Sequence, residues 1–212
     1  MTALPGRAAT DNQSQVCSAT LWPPMEPSAA VGRLAERSAV ALGWSGSVLP
    51  PVKLLGRHVV PVAELLPDAH AERLCFGSGP VRDRAEIAVW VWPEMEGRVP
   101  PPAARLTGML APARHWRSAL TAAVPFARFT NTAIVVPKSV TDGKDFASTC
   151  LIRARQFGIA VLSADADQVR VELAGRCFDD APPVEHTAIS RWVNEVVYEQ
   201  LLAAEAPAPS RR

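Results

Sequence analysis

The sequence predicts an α/β (α+β) domain in which helices flank a mixed central sheet. Segments with apolar residues at helical spacing alternate along the chain with short apolar segments that are typical of strands. The 212 residues are 48% hydrophobic, which is enough to build the core of one domain without disulfides or a metal. The formal net charge is +1, so a general attraction to nucleic acid or to a membrane is excluded, and such binding would need a local patch.

Four helices are predicted from apolar spacing and from residues that favour helix ends. The first begins at Pro27–Ser28 and ends at Gly43. The second covers residues 113–124, and Trp116 lies on its apolar face. The third is "DFASTCLIRARQFG", which Gly158 closes, and the fourth is "HTAISRWVNEVVYEQLLAAEA".

Short apolar segments predict the strands. "RLTGML" and "NTAIVVPK" flank the second helix and form a strand–helix–strand unit with it, whereas "IAVLSAD" and "QVRVELAG" predict a hairpin. Two shorter strands are expected at residues 52–55 and 59–62. The clearest predicted strand is "AEIAVWVWPE", in which Val89 alternates with Trp90 and Trp92, a pattern typical of a central strand covered on both faces. Both tryptophans are therefore expected in the core, with stacking on nucleic-acid bases as the alternative.

The chain is predicted to hold one domain, at residues 27–205. Residues 1–26 are polar and then interrupted by proline, which predicts a flexible N-terminal arm, and residues 206–212 are expected to be a disordered tail. The four cysteines are scattered singly, which argues against a zinc site and favours free thiols in a reducing cytosol. Because the sequence lacks a signal-peptide pattern and an apolar run of about 18 residues, a soluble cytoplasmic protein without membrane contact is expected.

The second half of the sequence, at residues 82–175, carries a pattern of motifs. "HWRSALTAAVPFARFTNTAIVVPKSV" joins a helix that bears Trp116 to an apolar strand that ends at Pro137. "ARQFGIAVLSADADQVRVELAG" then leads through a strand into a hairpin. This order resembles the PD-(D/E)XK nuclease superfamily. The resemblance implies a restriction-endonuclease-like fold and an active site of two carboxylates and a lysine, which hold a divalent metal and orient the attacking water.

The first carboxylate that the resemblance implies falls on Glu86, which follows Arg84 and Ala85. A glutamate can bind a metal through its oxygens, but a surface acid is the plainer interpretation. The nearby acids Glu94 and Glu96 lie at the wrong spacing for the motif.

The second part of the motif is missing. Counting back from Trp116, the acid and the lysine positions fall on Leu110 and Pro112, or on Gly108 and Leu110 in the alternative register. No Glu-x-Lys occurs in the sequence, and Asp142-Gly143-Lys144 is predicted to be a turn. The site is therefore predicted to be degenerate, without a catalytic residue or a cofactor. Mg²⁺ is expected only if an active endonuclease uses Glu86 in a non-standard site.

What remains in the pattern is a set of basic side chains. Arg82 and Arg84 precede the predicted strand, and Arg114, His115 and Arg117 lie at the start of the second helix. If the two groups share a cleft, they could bind phosphates. DNA or RNA is thus a candidate partner of a non-catalytic nuclease-like domain. An interaction scaffold that binds a partner protein and no nucleic acid is the first alternative. An active metal-dependent nuclease that uses Glu86 is the second.

Overall fold

The computed structural model describes residues 27–166, 168–177 and 187–205. The predicted arm at residues 1–26 and the predicted tail at residues 206–212 lie outside them. Within the described residues the chain is a mixed α/β structure, as the sequence predicts. The helices are α1 (Pro27–Leu42), α2 (Pro67–Cys75), α3 (Arg84–Trp90), α4 (Trp116–Ala123), α5 (Lys138–Thr141), α6 (Ile152–Phe157) and α7 (Ala188–Glu205). A 3₁₀ turn covers Pro93–Met95, and a π-helical segment, Phe146–Leu151, runs directly into α6.

Seven strands among the described residues form one curled, mixed sheet. They are β1 (Ser47–Val48), β2 (Val52–Leu54), β3 (Arg57–Leu65), β4 (Ala104–Pro112), β5 (Thr132–Pro137), β6 (Ala160–Asp165) and β7 (Gln168–Leu173). The order is β1-β3-β4-β5-β6-β7, and β2 also pairs with β3. Strand β4 is antiparallel to β3 and parallel to β5, β5 is parallel to β6, and β7 closes the predicted hairpin with β6. Helix α4 therefore connects two parallel neighbours.

Apolar layers cover both faces of the sheet. Alternate residues of β4 show this, because Met109 packs into one buried cluster and Leu110 into the other. The first cluster also contains residues of α4 and α7, and the second contains residues of α1 such as Val31 and Leu34. The short strand predicted at "RLTGML" is thus part of the longer β4, which is buried on both sides at its carboxyl end.

The strand predicted at "AEIAVWVWPE" is wrong, because the structure forms helix α3 there. The Asp83 side chain caps this helix by accepting a hydrogen bond from the backbone N–H of Ala85, at 2.8 Å. This local cap outweighs the alternation of valine and tryptophan, and the single buried residue of α3 is Ile87. Trp92 lies beyond the helix with 58% of its surface exposed, so the expectation that it belongs to the core is wrong as well.

Helix α2 was not expected from the sequence, although its signals are present. Pro67 occupies the first turn, where a missing backbone N–H costs nothing, and Asp68 and Arg73 suit the partial charges of the two helix ends. The helix is short and its apolar periodicity is weak, which is why these end signals alone did not identify it. Among the described residues, none of the helices is both long and apolar enough to cross a membrane.

Two glycine replacements in helices should change stability in opposite directions. Gly158 ends α6 with φ of 69°, in the left-handed region, so Gly158→Ala is expected to lower the free energy of unfolding by about 1 kcal/mol. Gly32 lies in α1, and beyond the backbone of its own helix no heavy atom lies within 4 Å of the place that an added methyl group would take. Gly32→Ala should therefore raise the free energy of unfolding by about 0.5–1 kcal/mol. Urea denaturation of both variants checks the two signs, and a loss of stability in Gly32→Ala would contradict the packing around α1.

Candidate functional site

The strand–helix junction that would hold the nuclease motif is apolar throughout. Leu110 is fully buried, and its partners in the flanking strands are Val60 on β3 and Ala133 on β5. Pro112, at the predicted lysine position, is also buried. A carboxylate or an ammonium group at either place would lose its hydration without gaining a charged partner.

In the alternative register, which places the acid at Gly108, a tryptophan ring occupies the space of the side chain. A Cβ atom built on Gly108 would lie 2.1 Å from Cε3 of Trp44, so the ring of Trp44 occupies the space where a side chain at position 108 would stand. Among the described residues, no group of three or more His, Cys, Asp or Glu side chains could hold a metal ion. The residues at the junction therefore do not fit the divalent metal that the resemblance implies.

Glu86 lies apart from this junction. It is exposed in the first turn of α3, a helix that packs against α7. Glu94 and Glu96 are also exposed, in and after the 3₁₀ turn. The acid on the strand next to β4 is Glu64, which forms an ion pair with Arg105. Its pKa is lowered by a hydrogen bond from Ser45 and then by Arg105, so it is an ordinary surface carboxylate.

Three of the five predicted phosphate-binding residues are engaged within the chain. Arg82 forms an ion pair with Glu199, and the Arg84 guanidinium lies 4.0 Å from the centre of the Trp192 ring. Arg117 forms an ion pair with Asp145 at 2.9 Å. These contacts are exposed and weak, so they do not prevent the side chains from meeting an anion.

The remaining two basic residues, Arg114 and His115, are exposed and have no ion pair with any described residue. They follow the last residue of β4. Arg82 lies near its first residue, because Trp192 donates a hydrogen bond to the Arg82 carbonyl and Asn194, on the same helix, donates one to the carbonyl of Ala104. A strand of nine residues is about 26 Å long, so the structure does not bring the two basic groups into one cleft.

The sequence did not reveal a buried ionic cluster, which we call the Arg73–Glu195–Arg191 triad. The side chains of Arg73 and Glu195 are fully buried and form two contacts of 2.8 Å. Arg191 is 5% exposed and approaches the same carboxylate at 3.2 Å. The spacing of Arg191 and Glu195, four residues apart on one helix, was visible in the sequence, whereas Arg73 is 122 residues from Glu195 and only the fold brings it near.

The triad carries two positive charges and one negative charge. Burial lowers the pKa of the Arg191 guanidinium, and Glu195 opposes that shift. Within the described residues, Nε of Arg191 is buried without a hydrogen-bond partner. A buried donor of this kind is uncommon, and a bound ligand or a water molecule would satisfy it.

Arg191 forms part of the wall of a groove of about 700 Å³. We call it the Trp/Pro groove, because its lining includes Trp90, Trp92, Pro100, Pro101 and Pro102; Val91, Glu96 and Arg191 also line it. Its volume is in the range of ligand-binding sites. The guanidinium carbon of Arg191 lies 5.2 Å from the centre of the Trp90 ring, which is a cation–π contact. Aromatic, apolar and cationic groups thus meet at one surface.

A second cavity, of about 360 Å³, lies beside Trp44 at the other side of β4. Its polar side chains are already used within the fold, because Thr107 donates a hydrogen bond to the Ser45 carbonyl and Asn131 donates one to the Thr107 carbonyl. It offers little exposed apolar surface, so the Trp/Pro groove is the stronger candidate for a binding site.

Comparison with models of known protein families, with curated proteins and with solved structures finds no match to this chain. The similarity to the PD-(D/E)XK superfamily therefore stays a hypothesis that rests on the residue pattern.

Proposed function

We propose that the chain is a non-catalytic interaction module that binds a peptide segment of a partner protein in the Trp/Pro groove. The observation that carries this proposal is the exposure of Trp92, at 58%, next to Trp90 and to a run of three prolines. Tryptophan and arginine are the side chains that most often dominate protein–protein binding energy. A tryptophan left this exposed in a folded chain marks a surface suited to being covered by another molecule.

Two valines add apolar surface at the groove. Val91 lines it, Val89 lies next to Trp90 on α3, and each is 37% exposed. A peptide that fills the groove could therefore lie against α3 as well. The proposal places the module in the cytoplasm, because Cys75 is an exposed free thiol and a reducing compartment keeps such thiols unoxidised.

The test is a peptide-display selection on the wild-type chain, with the Trp92→Ala variant used for subtraction. The selected peptides should bind with micromolar affinity, and that affinity should fall about fivefold or more on Trp92→Ala, since truncating a central tryptophan commonly costs over 1 kcal/mol. Phe76→Ala is the matched control, because Phe76 is 77% exposed but does not line the groove. Selected peptides that bind Trp92→Ala as tightly as the wild type would refute the proposal.

Nucleic-acid binding is the second candidate function, and the exposure of Arg114 and His115, which form no ion pair with any described residue, favours it. Two or three cations neutralise few phosphates, so such binding should be weak and strongly salt-dependent. DNA or RNA binding at about 50 mM salt that disappears in the Arg114→Glu/Arg117→Glu double variant would support this candidate. Retention of binding in that variant would exclude this surface.

A further inference from the structure

The charges behind the Trp/Pro groove point to the chemistry of its occupant. We infer that the peptide carries a side-chain carboxylate that accepts a hydrogen bond from Nε of Arg191. This inference rests on the proposed function and narrows it to one class of ligand, an apolar peptide with a single acidic residue.

The Glu195 carboxylate has no acceptor position left for a further donor. Its Oε1 contacts both Arg73 and Arg191, and its Oε2 accepts from Arg73 and from the backbone N–H of Val81, at 3.1 Å. Both oxygens are therefore occupied, and one glutamate faces two arginines. A buried site with one excess positive charge is stabilised by an additional anion.

Not all hydrogen-bond donors of Arg191 have a partner. One terminal nitrogen, Nη2, reaches both the Pro100 carbonyl and Glu195, whereas Nε has no partner among the described residues. Glu195 is already saturated, and Pro100 lies at the terminal nitrogen. A partner for Nε has to come from outside this set, and the groove is the open space that Arg191 borders. An anion held there between apolar walls would interact more strongly than it would in water.

The lining of the groove indicates the kind of occupant. The tryptophans and prolines of the groove suit apolar and proline side chains, and the exposed Val89, next to Trp90 on α3, offers apolar surface to a ligand longer than a small molecule. Glu96 lies on the lining of the groove and is exposed. It disfavours a strongly acidic segment, so one carboxylate near Arg191 within an apolar context fits the charges best. Because Nε is buried, the side chains around Arg191 have to shift locally as the carboxylate enters.

The experiment uses peptides selected on the wild-type chain, each synthesised as a Glu/Gln or Asp/Asn pair. The acidic member should bind about tenfold or more tightly than its amide, and the difference should shrink as salt is raised. The Glu96→Gln variant is expected to strengthen binding of the acidic peptide by about two- to threefold at low salt and to leave the amide peptide unchanged.

Two further measurements separate the outcomes. Arg191→Lys keeps the charge and removes Nε, so it should reduce the preference for the acidic peptide, with thermal melting as the check on folding. If that variant does not fold, the comparison of acid and amide peptides and the Glu96→Gln variant still test whether a peptide carboxylate binds. Peptides that depend on Trp92 but bind equally as acid and amide would overturn this inference and leave the proposed function intact. The absence of any Trp92-dependent peptide would overturn both the proposed function and this inference. If free benzoate bound as tightly as the peptides, the ligand would be a small carboxylate and not a peptide.

Discussion

Replacing Glu195 by alanine is expected to lower the free energy of unfolding by about 3–5 kcal/mol, the largest effect expected of any single change in this chain. The substitution leaves Arg73 and Arg191 buried beside each other without the carboxylate that separates their charges. It also removes the acceptor for the backbone N–H of Val81. Chemical denaturation followed by circular dichroism measures the loss.

The control for this prediction is Glu199→Ala. Glu199 lies one turn further along α7 and forms an ion pair with Arg82, but both side chains are partly exposed, at 39% and 68%. Its loss should cost less than about 1 kcal/mol. Equal losses for Glu195→Ala and Glu199→Ala would show that the triad is hydrated in solution rather than buried.

The two partners of Glu195 can also be separated. Arg73→Met removes one of the two positive charges and should itself destabilise the chain, because Glu195 then keeps Arg191 alone. The combined Arg73→Met/Glu195→Leu variant should cost clearly less than the sum of the two single changes, since the side chains are in direct contact. Additive losses would contradict a direct interaction.

The sequence predicts the parts of this fold that local patterns determine. Strand β5, helix α4 and strand β6 are predicted from apolar spacing and from Pro137 and Gly158, which mark the ends of segments, and the structure confirms them. The class of the domain follows from their order. The C-terminal helix α7 was also predicted, although its pattern gave no sign that a charged residue, Glu195, lies fully buried within it.

The failures have a common physical cause, which is competition between local signals and long-range contacts. In α3, a capping aspartate and a good helix start oppose a strand-like alternation, and the contact with α7 stabilises the helix. The Trp/Pro groove lies at the end of that helix, where Trp90 and the following Trp92 line it together with Pro100–Pro102. The triad joins α2 to α7 across 122 residues. No spacing rule within one segment could identify either feature.

The structure explains why the end of β4 carries no acid or lysine. Leu110, the acid position that the hypothetical nuclease motif would assign, lies between Val60 and Ala133, which are apolar too. The space around Leu110 belongs to the core, and the space beside Gly108 is filled by the Trp44 ring. An acid introduced at either position would therefore meet no metal-binding environment among the described residues.

Replacing Gly108 by alanine tests that conclusion and should lower the free energy of unfolding by about 1–3 kcal/mol, the second largest expected effect. The new methyl group would lie 2.1 to 2.6 Å from three ring atoms of Trp44, so the ring has to leave its position on β4. Because these atoms belong to the body of the indole rather than to a flexible end, small rotations cannot relieve the overlap.

The matched experiment repeats Gly108→Ala in a Trp44→Ala background. Once the ring is absent, the methyl group meets no such obstacle, and alanine is intrinsically preferred over glycine in a strand. The cost of the substitution should therefore fall to near zero or change sign, which gives a coupling energy of about 1–3 kcal/mol in the double-mutant cycle. An equal cost in both backgrounds would mean that Trp44 does not cover Gly108 in solution. The face of β4 on which Gly108 lies would in that case have room for a side chain.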